Sequence, residues 1–508
     1  MNGDLMNKEV LCIFDTRQIQ RYIFRSNSYY DILGASDLVN DILIEAIEYA
    51  LKNIDTPLSG SEYDLSTDPD AACIPYFKSE NIKFQLIICA AGNAMCIVRT
   101  GSLAQKIIRK ISRYYLDNGC TLNIAASAVE KTDNMSEDVF SLYKKLDTVK
   151  ASADNCEPLG ALSVVMKEHI TGDPVIERDE QYGDHIAMTS KLKRRKLRDR
   201  RHDLGVEDTH TTKGEDGKDY LAVIHADGNN LGITISRILE KAADYEESIR
   251  IRRRISRNIM TLYDKVMEKT LAELRSYCVE SCGSDTEFDR EFLVIHQAGD
   301  DVNCICNASM AFPFIESFYK NLEGAYIWES ETVKVPLYVC TGIAFVTPDS
   351  SFTSAFTLAE SCCKSAKTEA KKEHNLKNGL AVNWIDFQVC DDPNSQELGM
   401  LRQRYYVTDD NIRLFLRPYC MDTNQDSSYE MLKHKVLGLS QLELTKAQRS
   451  ILRQSYVIGR MEFGHWVMSM EKNGIDLVAA LGAPLYKDSE SKLHAAWFDA
   501  VEISDFLR

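Results

Sequence analysis

The chain has 508 residues, 44% of them hydrophobic and 27% charged, and a formal net charge of −16 at pH 7. That composition belongs to a globular, soluble chain rather than a disordered one, and the acidity argues against a surface that wraps nucleic acid throughout. No apolar run reaches the roughly 18 residues that a membrane span needs. The opening MNGDLMNKEV lacks the basic-then-apolar order of a secretion signal. The 15 cysteines are an odd number and scattered. Several (Cys12, Cys89, Cys96, Cys304, Cys306, Cys340) lie in apolar runs, where a free thiol behaves as a small hydrophobe, so a reducing, cytoplasmic setting is expected. Cys278-x-x-x-Cys282 and the Cys362-Cys363 pair are the only hints of zinc, and no Cys/His set has finger-like spacing.

In chain order, EVLCIFD (9–15) is a strand-like run ending in Asp15, followed by a helical stretch. KFQLIICAAGNAMCIVR (83–99) reads as strand, tight turn, strand. A helix at 102–117, a strand at 121–129, a helix at 138–152 and a further strand at 160–167 (GALSVVMK) follow. The segment 175–216 is polar and charged and reads as an exposed linker, with the basic track KLKRRKLRDRR at 191–201. The series then begins again. KDYLAVIHAD (218–227) is a strand ending in Asp227. A second basic track, RIRRRISR (250–257), alternates with Ile251 and Ile255 and is expected on the solvated face of a helix. The hairpin REFLVIHQAGDDVNCICN (290–307), a helix at 310–322, a strand at 335–346, a helix at 351–372 and a strand at 380–387 complete the second copy. In the helix, Phe356, Leu358 and Ala359 form the apolar side. Past 392 the chain is turn-rich, and from 428 it reads as several helices.

Each copy is β–α–β–β–α–β–α, the split-βαβ, ferredoxin-like order. The expected fold is α+β, with two ferredoxin-like (palm) domains in tandem followed by a helical domain. The first palm covers 1–174, the linker 175–216, the second palm 217–392 and the helical region 393–508.

The hairpin turns align as AAGNA (90–94) against QAGDD (297–301). Gly and Asp are common turn residues, but only the second copy carries Asp300 and Asp301. In a ferredoxin-like sheet the first strand lies beside the hairpin, so Asp227 converges on Asp300 and Asp301. Three adjacent carboxylates repel one another unless a cation neutralises them. Mg²⁺ prefers carboxylate oxygen, and two metals can clamp the attacking and leaving oxygens of an in-line displacement. Gly228 lets the backbone approach a phosphate or expose its carbonyl to a metal, Gly299 is required by the turn and is counted with it at the nucleotide, Asn229 and Asn230 offer amides to a ribose or triphosphate, and Lys367 is either a solvated helix lysine or a point charge that reaches phosphates. His225 is expected in the core or behind the acids. The first copy has only Asp15 and is expected to be non-catalytic.

The second copy, with ADGNNLG, the hairpin around AGDD, LYVCTGIAFV and LAESCCKSAK, resembles the second palm of the large subunit of type III CRISPR effector complexes. That palm is related to the GGDEF nucleotidyl cyclases. FDTRQIQRYIFRSNSYYDILGASDLV, with Gln18, Gly34 and Ser36, resembles the family's first palm, and RPY (417–419) with the helices after it resembles its C-terminal region. The resemblance implies a nucleotidyl cyclase or oligonucleotide synthase making a cyclic oligonucleotide from nucleoside triphosphates, ATP in that family, in prokaryotic antiviral defence. It implies Asp227, Asp300 and Asp301 as the acids for two Mg²⁺ or Mn²⁺ ions, and matches Lys367 to the family's A-K. Ala298 replaces the first glycine of the usual G-G-D-D, and Asn229 stands where many members have a second acid. The chain begins directly with the first palm, so the family's H-D nuclease domain is expected to be missing, and His202-Asp203 is discounted as a remnant. Expected partners are nucleoside triphosphates, RNA, a second copy of the chain or a CRISPR-type effector complex, with no membrane. The rival readings are a nucleotide- or RNA-binding sensor or scaffold without turnover, and an effector subunit active only with RNA and partner proteins.

Overall fold

The computed structural model describes residues 5–152, 162–179, 183–200, 211–213, 218–240, 242–282, 288–329, 334–377, 380–391, 397–422, 427–442, 444–475, 486–489 and 492–507. The first copy runs β1 (Val10–Arg17), α1 (Tyr29–Asn53), β2 (Phe84–Ala90), β3 (Asn93–Val98), α2 (Gly101–Asn118), β4 (Asn123–Glu130) and α3 (Met135–Ser152). In space the strands lie in the order β2-β3-β1-β4, with Tyr63–Asp64 added parallel at the β2 edge. β1 takes a central place because both its faces are apolar. Val10, Cys12 and Phe14 enter one cluster of buried residues and Leu11 and Ile13 another, as strand alternation requires.

Helix α4 (Met188–Arg200) separates the copies. The second runs β5 (Asp219–Gly228), α5 (Leu231–Leu239), α6 (Tyr245–Cys282), β6 (Phe292–Ala298), β7 (Asp301–Asn307), α7 (Ala311–Leu322), β8 (Val339–Val346), α8 (Phe352–Ala370) and β9 (Trp384–Cys390). The order β6-β7-β5-β8 repeats the first sheet strand for strand, and β9 continues it parallel to β8. The α+β palm arrangement expected from the sequence is therefore present twice.

The two sheets face a shared layer. Leu221 and Val223 of β5, Val10, Cys12 and Phe14 of β1, and the apolar faces of α1, α2 and α8 belong to one contiguous buried cluster. The opposite face of β5 (Ala222, Ile224, Ala226) packs with α6, α7 and the C-terminal residues, where Phe506 stacks on Phe345 at 4.7 Å between centroids. Because β5 is covered on both faces, its sequence is nearly continuous in apolar residues. The C-terminal region contributes helices α9 (Tyr429–Gln441), α10 (Lys446–Ile458) and α11 (Arg460–Lys472). Tyr419–Cys420 extends the second sheet beside β9. Among the described residues no helix is long and apolar enough to cross a membrane.

Several expectations are corrected. Of the strand expected at 160–167, residues 162–167 form turns and a single bridge, Lys167 to Pro174, with Val164 exposed. They find no sheet edge to join. The first basic track is not an exposed linker over 191–200. It is helix, packed so closely on α1 that a Cβ at Gly34 would stand 2.1 Å from the Lys193 carbonyl oxygen. Arg194 is buried in ion pairs with Asp31 and Asp179. The second track is not a plain solvated face either, since Arg253 is buried and donates to the carbonyls of Leu86 and Ile87. The strand expected at 335–346 is two, because Lys334–Pro336 pairs with Tyr326–Glu329 while β8 begins at Val339. The region after 428 also contains a hairpin, Tyr486–Ser489 with Lys492–Ala495. His202-Asp203 and the side chain of Cys282 lie outside the described residues.

Candidate active site

The hairpin register sets the site. Ala298 pairs with Asp301, and Ala90 with Asn93, so each turn has two residues. The matching positions are Ala91 with Gly299, Gly92 with Asp300 and Asn93 with Asp301. The sequence alignment of AAGNA with QAGDD is thus one residue out. In the first turn Ala91 (φ 51°) and Gly92 (φ 75°) are both left-handed. In the second only Gly299 (φ 64°) has positive φ. A turn with positive φ at its first central residue alone leaves the second free to carry a side chain, and that residue is Asp300.

β7 lies against β5 with Val302 opposite Ala226 and Asn303 opposite His225. Asp301 and Asp227 are the residues that follow next on the two strands. The Asp300 carboxylate rests against Gly228. A Cβ there would stand 2.6 Å from Asp300 Oδ2 and 2.5 Å from Leu231 Cδ1, so only glycine permits this approach. Asp300 thus lies against Gly228, and the charges of Asp227 and Asp301 act on it.

Lys367 of α8 donates to Asp227. Burial pulls its ammonium down, but the Asp227 carboxylate outweighs burial and the net shift is upward. Asp301 accepts from Asn303 Nδ2 on Oδ1 at 2.8 Å and from Gln20 Nε2 of the first palm on Oδ2 at 2.5 Å. His225 is buried, with Nδ1 3.3 Å from Asp301 Oδ1 and 2.8 Å from Asn303 Oδ1. Burial disfavours its protonation, and the hydrogen bond and charge of Asp301 reverse that, so its pKa is raised. Asp300 is pushed up to about 7 by burial, then by the charges of Asp227 and Asp301, against its own backbone hydrogen bond and the more distant Lys367. Tyr263 of α6 is fully buried, and its hydroxyl finds no hydrogen-bond partner among the described residues. Burial, then the charges of Asp300, Asp227 and Asp301, hold that hydroxyl well above its ordinary pKa.

Asn229 is corrected. Its backbone N–H donates to the Tyr338 carbonyl, and its buried side-chain amide donates to Cys340 Sγ and the Val382 carbonyl. Its amide nitrogen braces β8 and the chain before β9, while its Oδ1 is buried without a partner among the described residues. Asn230 (φ 60°) heads α5 with its side chain unused as a cap. Gln20, Asn303 and Tyr263 escaped the sequence reading. The signal for Asn303 was its spacing two residues after Asp301 on one strand face. Tyr263 had none beyond core-like helical spacing.

In the first palm Asp15 pairs with Lys150 Nζ at 2.8 Å. Lys150 lies near the end of α3 as Lys367 lies near the end of α8, so the Asp–Lys pair is common to both copies. Among the described residues no group of three or more His, Cys, Asp or Glu side chains is arranged to hold a metal ion. That holds for the acid trio too, in which Asp227 is paired with Lys367 and Asp301 accepts from Gln20 and Asn303. The fit to a divalent cation lies in charge and chemistry. Carboxylate oxygens are the hard donors that Mg²⁺ and Mn²⁺ favour, and Gly228 leaves the approach beside the Asp300 carboxylate free of a side chain. Cys362 and Cys363 are buried against the sheet.

Fold and site define a tandem-palm α+β protein in which one palm carries clustered acids. The model of the family Cas10/Cmr2, second palm domain, matches residues 220–380, so the second palm is of the Cas10/Cmr2 kind. Among solved structures, the chain is similar to a Csm1–Csm4 cassette in complex with cA4, at 13% identity, over 99% of this chain and 70% of that one, TM-score 0.46. It is likewise similar to the apo Csm1–Csm4 cassette (12%, 100% and 71%, TM-score 0.47) and to Csm1 of T. onnurineus (12%, 99% and 70%, TM-score 0.45). No curated protein matches the chain.

Proposed function

We propose that the second palm is a nucleotidyltransferase that joins nucleoside triphosphates, ATP foremost, into a cyclic oligonucleotide messenger. A ribose hydroxyl attacks an α-phosphate, a new P–O bond forms, and pyrophosphate leaves. The observation that carries this reading is the contrast between two palms of one topology. Each has an Asp–Lys pair, but only the second adds Asp300 and Asp301, in a turn and register that bring them against Asp227 and Gly228. The match of residues 220–380 to the Cas10/Cmr2 second palm supports it and points to CRISPR-type antiviral defence as the setting, inside an effector complex.

Asp227, Asp300 and Asp301 would hold Mg²⁺ or Mn²⁺, two ions, whose contribution when bound is to neutralise the acids and polarise the phosphate. The chain's own work is positioning and charge. Gly228 and Gly299 keep side chains out of the approach to the acids. Lys367 exchanges Asp227 for a phosphate oxygen. Asn230, at the head of α5 two residues after Gly228, would offer its amide to the nucleotide. His225 and Asn303 hold one oxygen of Asp301, Oδ1, from within the second palm.

A second reading, a nucleotide-binding scaffold without turnover, is favoured by the repetition of the Asp–Lys pair in a palm that lacks the other acids, because such a pair then serves structure. RNA binding along the basic tracks is weakened by the inward course of Lys193, Arg194 and Arg253. The test is to incubate the purified chain with each ribonucleoside triphosphate plus Mg²⁺ or Mn²⁺, with and without RNA, and to chromatograph the products. A cyclic product and pyrophosphate are expected. Product only with RNA would make the chain an RNA-dependent effector subunit, and nucleotide binding without product in every condition would leave the scaffold.

A further inference from the structure

The first palm reaches into the acid site. After β1 the chain turns through Gln18 (φ 54°) into the short helix Ile19–Ile23, which carries Gln20 to the tip of the second hairpin. Gln20 Nε2 donates to Asp301 Oδ2, while Asn303 and His225, from the second palm itself, address Oδ1. The other amide atom, Gln20 Oε1, is buried and unpartnered among the described residues. An amide with one oxygen left unsatisfied is costly, so this side chain is held here for the bond it gives to Asp301. Its surroundings fix it. A Cβ on Gly299 would stand 3.3 Å from the Ala91 side chain, and one on Gly92 2.5 Å from Ile19 Cδ1, so the two hairpin tips and the short helix abut. An Asp χ2 is a broad torsion, and a carboxylate hydrogen-bonded on one oxygen only can still swing.

We propose that Gln20 is a positioning residue acting from the opposite palm: it fixes the rotation of the Asp301 carboxylate, so that the acids take a divalent cation well only while the first palm is docked. This deepens the proposed function and rests on its reading of the acids as cation ligands. The first palm thereby has a duty at the site although it lacks acids of its own there.

The experiment measures Mn²⁺ affinity of the full chain by the EPR signal of free Mn²⁺, without nucleotide, so no turnover is needed. Gln20→Met keeps the shape and removes the donor. It is expected to weaken Mn²⁺ binding about tenfold, the lower end of what loss of a ligand-orienting hydrogen bond does. Gln20→Ala is expected to do the same should the methionine variant fail to fold. Thr353→Val deletes a different palm-to-palm hydrogen bond, from Thr353 Oγ1 to the Phe24 carbonyl. It is expected to lower the unfolding midpoint while leaving Mn²⁺ affinity within twofold. A folded Gln20 variant within twofold of wild type overturns the proposal. So does a Thr353→Val loss equal to that of Gln20→Met, or a wild-type chain that binds no Mn²⁺ at millimolar concentration. If the Mn²⁺ pattern holds but wild type makes no product from any nucleoside triphosphate, the nucleotidyltransferase reading falls and the role of Gln20 stands.

Discussion

Asp300 stands where it does because the second hairpin turns on one left-handed residue while the first turns on two. Gly92 is held to glycine by its own φ and by the nearby Ile19, whereas Asp300 escapes both constraints. The acid next needs Gly228 beside it. Gly228→Ala is expected to displace the Asp300 carboxylate, cut product formation at least tenfold and cost about 1–3 kcal/mol of stability, the usual range for overpacking. Parallel turnover assays and urea unfolding would check both. Lys193 gives a second prediction at this scale. It is buried, its Nζ donates to the Tyr22 carbonyl at 2.8 Å, and burial lowers its pKa to about 8 despite Asp31. The unfolded chain, with lysine near its ordinary value, then binds more protons between about pH 8 and 10.5, so this residue's contribution to stability rises with pH across that window. The urea midpoint of wild type should rise relative to that of Lys193→Met from pH 7.5 to pH 9.5. A constant difference would show that Lys193 does not titrate there.

Among these residues Asp227, Asp300 and Asp301 were legible in the sequence because strand ends and hairpin tips can be located from apolar alternation and turn residues. Which way Asn229 faces was not legible. One residue past a strand, its direction is set by contacts with Cys340 and Val382, more than 100 positions away. The same holds for Gln20, whose partner is 281 residues distant.

Helix α6 shows the limit of local pattern at the scale of elements. Alternating arginine and isoleucine predict an amphipathic helix, and a helix is found, but its arginines bind the first palm. β2 and β6 both carry a register shift, between Leu86 and Ile88 and between Val294 and His296. Such bulges leave backbone groups outside the ladder. Arg253 donates to the Leu86 and Ile87 carbonyls at the first bulge, and Arg257 pairs with Asp68 and Asp70 nearby. Arg253→Met should cost about 2–4 kcal/mol, since it leaves buried acceptors of a charged donor unpaired. It should also raise amide exchange in 84–98 more than in 292–307. Equal exchange in the two hairpins would mean that α6 does not secure the first one. Helix α4 was hidden for a similar reason. KLKRRKLRDRR looks solvated, and only the close approach at Gly34 and the buried acids reveal that Asp31 of the first palm, together with Asp179, receives it.

At the scale of the molecule, two palms share one buried layer, so the copy without the acid pair is bound into the copy that has it. Phe24 of the first stacks on Phe356 of the second at 4.5 Å, and Ser36 Oγ meets His296 Nδ1 at 2.9 Å. The internal repeat made this tandem order readable from sequence. The sharing was not readable, because both faces of β1 and β5 are apolar and alternation cannot say what covers each. The proposed function divides labour between the palms: the acids of the second would perform transfer, and the matching Asp–Lys pair of the first would serve structure. The most direct measurement is pyrophosphate release and cyclic product from ATP with Mn²⁺ for wild type, Asp301→Asn and Asp15→Asn, each confirmed folded. Asp301→Asn should lose at least a hundredfold, in line with removal of a group that stabilises transition-state charge, while Asp15→Asn should stay within a few-fold of wild type. Equal losses in the two variants, or a fully active Asp301→Asn, would contradict it.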